Sequence, residues 1–317
     1  MIKGTGTQTK NVIDDKDPLT GFRLLKAAGF DHCDFSLNSY LLNTDLYKER
    51  VNRFFDASVR ELKEYFRPLK EAAAESGINI NQMHMPYPVY VPTAGKEIND
   101  YLLYEVAPKS MEICGYLECP AIVVHGLKLR QYLGSESAEW ERTEEFLDTL
   151  LPMAKDMGVV ICIENLYNGV NGHMTDGPGT DADLSAMRID SINEKYGAEV
   201  LGFCYDVGHA NLLGIDHRRF INILGKRIKV LHIHDNDGMA DLHQLPFTFT
   251  KTRENEPSTD WDGFLHGLAD IDFDGVLSFE TAPVLSSFPE ELKKEVLQLI
   301  SATGRYFIKK TEQYGRR

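Results

Sequence analysis

Two hydrophobic patterns alternate along the chain. Short apolar runs rich in β-branched residues, such as VVICI at 159–163, carry no polar interruption and predict strands buried on both faces. Between them apolar positions recur every three or four residues. Val59, Leu62, Tyr65, Phe66, Leu69, Ala72 and Ala73 mark one face of an amphipathic helix. Glycines in AAGF (27–30), ESGI (75–78) and DMGV (156–159) stand where helices end. This reading places β1 at 2–7, β2 at 33–37, β3 at 79–84, β4 at 121–125, β5 at 159–164, β6 at 200–206, β7 at 228–234 and β8 at 276–280. Helices fall between the strands, and a last one is expected from Pro289 to Gln313.

Eight strand–helix units of about 30–45 residues each predict an α/β protein, a (β/α)8 TIM barrel forming a single domain over residues 1–317. A doubly wound open sheet is the structural rival, but no glycine-rich phosphate-binding turn follows the first strand.

Charge and composition narrow the partners. Lys and Arg number 34 against 48 Asp and Glu, a net charge of −14, which repels nucleic acid and anionic membranes. The N-terminal MIKGTGTQTK has no apolar leader segment, and no apolar run reaches membrane-spanning length. Five cysteines, an odd number set partly in apolar strand context, read as reduced thiols of a cytoplasmic protein. Whether the chain acts alone or as a homo-oligomer is left open.

In a barrel, the C-terminal ends of the strands gather around one mouth. Those ends carry His84 (β3), His125 (β4), Glu164 (β5), Asp206 and His209 (β6), His232 (β7) and Glu280 (β8), and the loop after β7 adds Asp241 and His243. Six consecutive strands thus deliver ligand-type side chains to one rim. Crowded acids repel one another unless a cation lies among them, so a divalent metal is expected at Glu164, Asp206, His232 and Glu280. His84 and His125 serve either as further ligands or as hydroxyl-binding groups, and Asp241 and His243 either as ligands or as a solvated turn. His234 shares strand parity with His232 and approaches the ligands from behind. The glycine-rich 168–183 reads as a lid with Tyr167 and His173 turned inward, or as a solvated loop. PYPVYVP offers Tyr87 and Tyr90 as a stacking wall, or a turn stiffened by prolines. His32, His173, His217 and His266 have no ligand context, so surface or capping roles are their default.

The segments IENLYN (163–168), DVGHAN (206–211), LHIHDNDG (231–238), DLH (241–243) and FETA (279–282) resemble the xylose isomerase-like TIM-barrel superfamily, and the resemblance spans essentially the whole chain. That superfamily includes sugar and sugar-phosphate isomerases and epimerases and the endonuclease IV (AP endonuclease family 2) enzymes. Resemblance to the isomerases implies one Mn²⁺, Co²⁺, Mg²⁺ or Zn²⁺ held by Glu164, Asp206, His232 and Glu280, with no organic cofactor. Glu164 and Glu280 would double as acid and base through an enediolate, and His209, His125, His84 and Tyr87 would contact a small carbohydrate. Resemblance to endonuclease IV implies three zinc ions on His84, His125, Glu164, Asp206, His209, His232, Asp241, His243 and Glu280, and a phosphodiesterase. A non-catalytic sugar-binding subunit is the third alternative. The sequence departs from many relatives after DLH, where QLPFTFTKTRENEPSTDWDGF replaces a short glycine-containing loop, so the sugar and its phosphorylation state are not specified.

Overall fold

A computed structural model describes residues 1–129, 136–250 and 256–316. The strands are β1 (Gly4–Gln8), β2 (His32–Ser36), β3 (Asn79–His84), β4 (Ala121–Val124), β5 (Val160–Glu164), β6 (Leu201–Asp206), β7 (Ile228–His232) and β8 (Val276–Phe279). From β1 to β7 each strand pairs in parallel with its sequence neighbour, and β1 also pairs in parallel with β8. The ring closes beyond the end of β7, where the Ile233 N–H donates to Ser278 O (2.9 Å) and the Glu280 N–H to Ile233 O (3.0 Å). The architecture is a (β/α)8 TIM barrel.

The surrounding helices include α1 (Pro18–Ala28), α2 (Val59–Ser76), α3 (Ala107–Tyr116), α4 (Glu136–Asp148), α5 (Ala182–Tyr196), α6 (His217–Leu224), α7 (Trp261–Asp270) and α8 (Lys293–Gly315). Local chemistry sets their ends. At the start of α2 the Glu61 N–H donates to Ser58 Oγ and the Ser58 N–H to Glu61 Oε2, and Gly77 closes the helix at φ 66°. The last helix begins at Lys293 rather than Pro289, because Glu290–Leu292 form a 3₁₀ turn first. No helix among the described residues is long and apolar enough to cross a membrane.

Strand alternation positions the site. Ile161, Ile163, Phe203, Tyr205, Leu231, Ile233, Leu277 and Phe279 belong to the large core between sheet and helices. The opposite parity points into the barrel, where Ala121, Val123, Cys162, Cys204 and Val230 form a separate apolar plug. All five cysteines are free and buried. Two residues further along the same inward rows stand His125, Glu164, Asp206 and His232. Small apolar side chains thus floor a chamber whose upper wall is polar.

The first part of the glycine-rich insertion is a β-hairpin rather than an irregular loop. Tyr167–Val170 and His173–Asp176 pair antiparallel across Asn171–Gly172, both at positive φ, as a tight hairpin turn requires.

Candidate metal centre

His232 is the hub. Its Nδ1 lies 3.0 Å from Glu164 Oε1, 3.3 Å from Glu280 Oε2 and 3.8 Å from Asp206 Oδ2. One ligand atom from each of these four residues falls within 4.8 Å of all the others. Glu164, Asp206 and His232 are almost wholly buried, while Glu280 faces the mouth. Among the described residues no Lys or Arg lies within 4.0 Å of the three carboxylates. Buried acids without basic partners are costly, and this donor set of carboxylate oxygens and an imidazole nitrogen suits a divalent cation. Glu164 Oε2 adds to the fit: it makes no hydrogen bond, although His125 Nε2 stands 3.0 Å away.

Two further clusters adjoin this one. His84 Nε2, His125 Nε2 and Glu164 Oε2 converge, with the two histidine nitrogens 3.1 Å apart. On the other side His243 Nε2 is 3.1 Å and His209 Nε2 3.5 Å from Asp241 Oδ2, so the Asp241–His243 loop is folded onto the site rather than left as a solvated turn. His234 Nε2 is 3.2 Å from Asp206, and its ring stacks on His243 at 3.9 Å. All nine residues shared with the three-zinc pattern therefore meet at this mouth.

Several residues that hold this arrangement escape a reading of strand ends. Asn165 is buried and brackets Asp206, donating to its carbonyl and accepting from its N–H (both 2.8 Å), while its own carbonyl lies 2.9 Å from His209 Nδ1. Gln8, on β1, donates to Glu280 Oε1. Asp34, on β2, stands behind His232. The usable signal for Gln8 and Asp34 is polarity at inward parity of a buried strand. Lys128 donates to the carbonyl of Tyr167 and fastens the hairpin's base. Burial pushes its ammonium down to about 8 despite Glu139, Glu164 and Asp241 nearby.

The aromatic wall is narrower than expected. Tyr87 packs on His125 with ring centroids 4.4 Å apart and on His84 at 5.0 Å, but Tyr90 packs against the hydrophobic core. Tyr167 turns its ring edge to His209 at 5.2 Å, whereas His173 is exposed near the hairpin tip. The loop after β7 is pinned by buried Asp235, which accepts from Thr259 Oγ1 and the Asn236 and Phe249 N–H groups. Residues 251–255 of that loop lie outside the described residues. Of the remaining histidines, His217 shares a 2.6 Å hydrogen bond with Tyr205 behind the sheet, and His266 stacks on Tyr314.

Residues 22–302 match the sequence profile of the family described as xylose isomerase-like TIM barrel. The chain belongs to that family. This member is 26% identical to an uncharacterized protein of Methanocaldococcus jannaschii over 226 residues, 69% of this chain and 70% of the relative. Among solved structures it is similar to a D-tagatose 3-epimerase-like protein (TM-score 0.64, 17% identity, covering 99% of this chain and 98% of the other). It is also similar to a D-psicose 3-epimerase solved in the presence of D-fructose (TM-score 0.65, 14% identity, covering 98% and 99%). At these identities the likeness to solved structures is one of fold.

The family member's third cluster predicts a pH dependence. Burial pulls His209 and His243 down, but the carboxylates outweigh it: Asp206, Asp241 and Glu164 lift His209 to about 9, and Glu280, Asp241 and Asp206 lift His243 to about 10. Free histidine titrates near 6.5. In metal-free protein their stabilisation is therefore complete below that value and lost as pH rises through about 9 to 10. A metal needs the unprotonated rings and competes better as pH rises. Thermal melts are expected to show the metal-free Tm falling over this window, with added divalent metal cancelling the fall.

Proposed function

We propose that this protein is a divalent-metal-dependent isomerase or epimerase of a small sugar or sugar derivative. The observation that carries the reading is the placement of two glutamates, Glu164 and Glu280, against the same His232 nitrogen, at 3.0 and 3.3 Å, from strands on different sides of the barrel. Glu164, Asp206, His232 and Glu280 would hold the cation. Bound there, it would polarise a substrate carbonyl and the adjoining hydroxyl, which acidifies the hydrogen on the carbon between them. The carboxylates of Glu164 and Glu280 would then take that proton on one side and return one on the other. Gln8 keeps the Glu280 carboxylate aimed inward; burial opposes the charge on Glu164, and the neighbouring His232 and His125 more than offset it. His209, His125 and His84 would hold substrate hydroxyls, with Tyr87 as a wall against the sugar and the Tyr167 hairpin limiting water entry. The epimerase names of the solved relatives support this reading.

A second reading has its own observation. Glu164 divides its oxygens, Oε1 toward His232 and Oε2 toward His125, as a carboxylate shared between two metal ions does, and Asp241, His209 and His243 supply a third ligand set. That pattern favours a three-zinc phosphodiesterase acting on abasic DNA, against which the net charge of −14 weighs. Incubation of metal-loaded protein with ketoses and ketose phosphates in D₂O tests between them. The isomerase reading expects one deuterium at the carbon beside the carbonyl of a turned-over sugar. No exchange across the panel, together with nicking of abasic DNA, reverses the order.

A further inference from the structure

We propose that Asp34 is a positioning residue of this centre: its carboxylate keeps the N–H of His232 on Nε2 and so leaves the Nδ1 lone pair free for the cation. The inference rests on the metal site described above but not on any substrate.

His232 presents Nδ1 to Glu164, Asp206 and Glu280, and turns Nε2 the other way, to Asp34 Oδ2 at 3.5 Å. That separation is somewhat longer than a hydrogen bond, and each side chain keeps an unpartnered atom. His232 Nε2 and Asp34 Oδ1 are buried with no hydrogen-bond partner. Both side chains are 1% exposed, so water does not substitute. Among the described residues no Lys or Arg lies within 4.0 Å of Asp34, which makes the imidazole N–H its natural counterpart. Gln82, itself fully buried, donates from Nε2 to Asp34 Oδ2 (3.2 Å) and to the carbonyl of Leu231 (3.3 Å), tying the carboxylate to the residue that precedes His232.

On the Nδ1 side stand the carboxylates of Glu164 and Glu280, at 3.0 and 3.3 Å, whose pull on the ring proton a bound cation would replace. The remaining, uncharged groups around the ring do not set its tautomer as a carboxylate does. Cys204 lies within the same ligand-sized cluster as Glu164 and His232, but burial holds its thiol protonated, and a thiol is a weak hydrogen-bond partner. His84 stacks nearly parallel to His232 at 5.7 Å and offers its face rather than a ring nitrogen. A neutral imidazole carries one proton on one of two nitrogens. An anion behind Nε2 draws the proton there and raises the basicity of Nδ1 toward the metal.

Zinc affinity by chelator competition, with ¹⁵N histidine NMR of the zinc-loaded protein, tests this. The wild type should show His232 protonated at Nε2 and metal-shifted at Nδ1. Asp34→Asn is nearly isosteric and keeps a contact for Gln82. It should bind zinc about 10–100-fold more weakly while its circular dichroism is unchanged. Zinc affinity in Asp34→Asn within about twofold of wild type, or a wild-type His232 proton on Nδ1, overturns the role of Asp34. If Asp34→Asn does not fold, Asp34→Ser in the same assay decides: zinc affinity within about twofold of wild type overturns the role, and a loss of about 10–100-fold supports it. Wild-type protein that takes up no zinc removes the centre itself, which is a different failure from loss of Asp34's role alone.

Discussion

Replacing Glu164 with glutamine is expected to lower turnover by about 10²–10⁴-fold at saturating metal, the range for removing a positioned acid–base group. The side chain keeps its shape, so the fold should persist and the far-ultraviolet circular dichroism should match wild type. The effect is large because Glu164 would have two tasks. Oε1 faces the His232 nitrogen where a cation is expected, and the same carboxylate is the candidate proton acceptor. Steady-state kinetics with metal titrated to saturation separates the two: weaker metal binding is overcome by added metal, and loss of proton transfer is not. Turnover within about threefold of wild type would mean that the chemistry resides elsewhere.

Gly208→Ala is expected to damage the centre without touching a proposed ligand. A Cβ at this position would fall inside the ring of His234, overlapping three of its atoms. His234 is fully buried, has no room to retreat, and lies 3.2 Å from the Asp206 carboxylate. Overpacking of this kind costs about 1–3 kcal/mol, which for a chain of this size lowers Tm by about 2–5 °C. Because His234 must move off Asp206, metal affinity should fall as well. Gly169→Ala is the control, since its added Cβ meets nothing within 4 Å. Differential scanning calorimetry with and without metal reads both effects. Equal melts for Gly208→Ala and wild type would mean that His234 is not held as described.

Much of this is legible before any coordinates. Apolar runs such as VVICI mark β5, and the two-residue step along that run carries from Cys162 to Glu164 into the barrel mouth. His125, Asp206 and His232 follow the same step on their own strands, so one periodicity yields both the floor and the candidate ligands. Asp34 and Gln8 are harder to see. They sit on strands that end in no ligand, and a polar residue on such a short, partly polar strand reads as a strand edge until the facing His232 or Glu280 is known. Asn165 lies one position past Glu164 on the outward parity, and its value appears only when its amide is seen to bracket Asp206.

The insertion after β5 shows a different limit. Its density of glycine and asparagine suggests a loop, yet Asn171–Gly172 is itself a hairpin signal between residues able to pair. Tyr167 remains at the base, over His209, while His173 is carried toward the tip and away from the site. Likewise Tyr87 and Tyr90 share a proline-rich segment, but only Tyr87 lies against His84 and His125, because Tyr90 is drawn into the core. Composition alone does not distinguish the two.

Diffraction from manganese-soaked crystals, recorded for anomalous scattering, tests the central claim most directly. A peak within coordination distance of Glu164, Asp206, His232 and Glu280 together is the predicted result. No peak at the barrel mouth, or peaks that leave those four side chains without a shared ion, would contradict it.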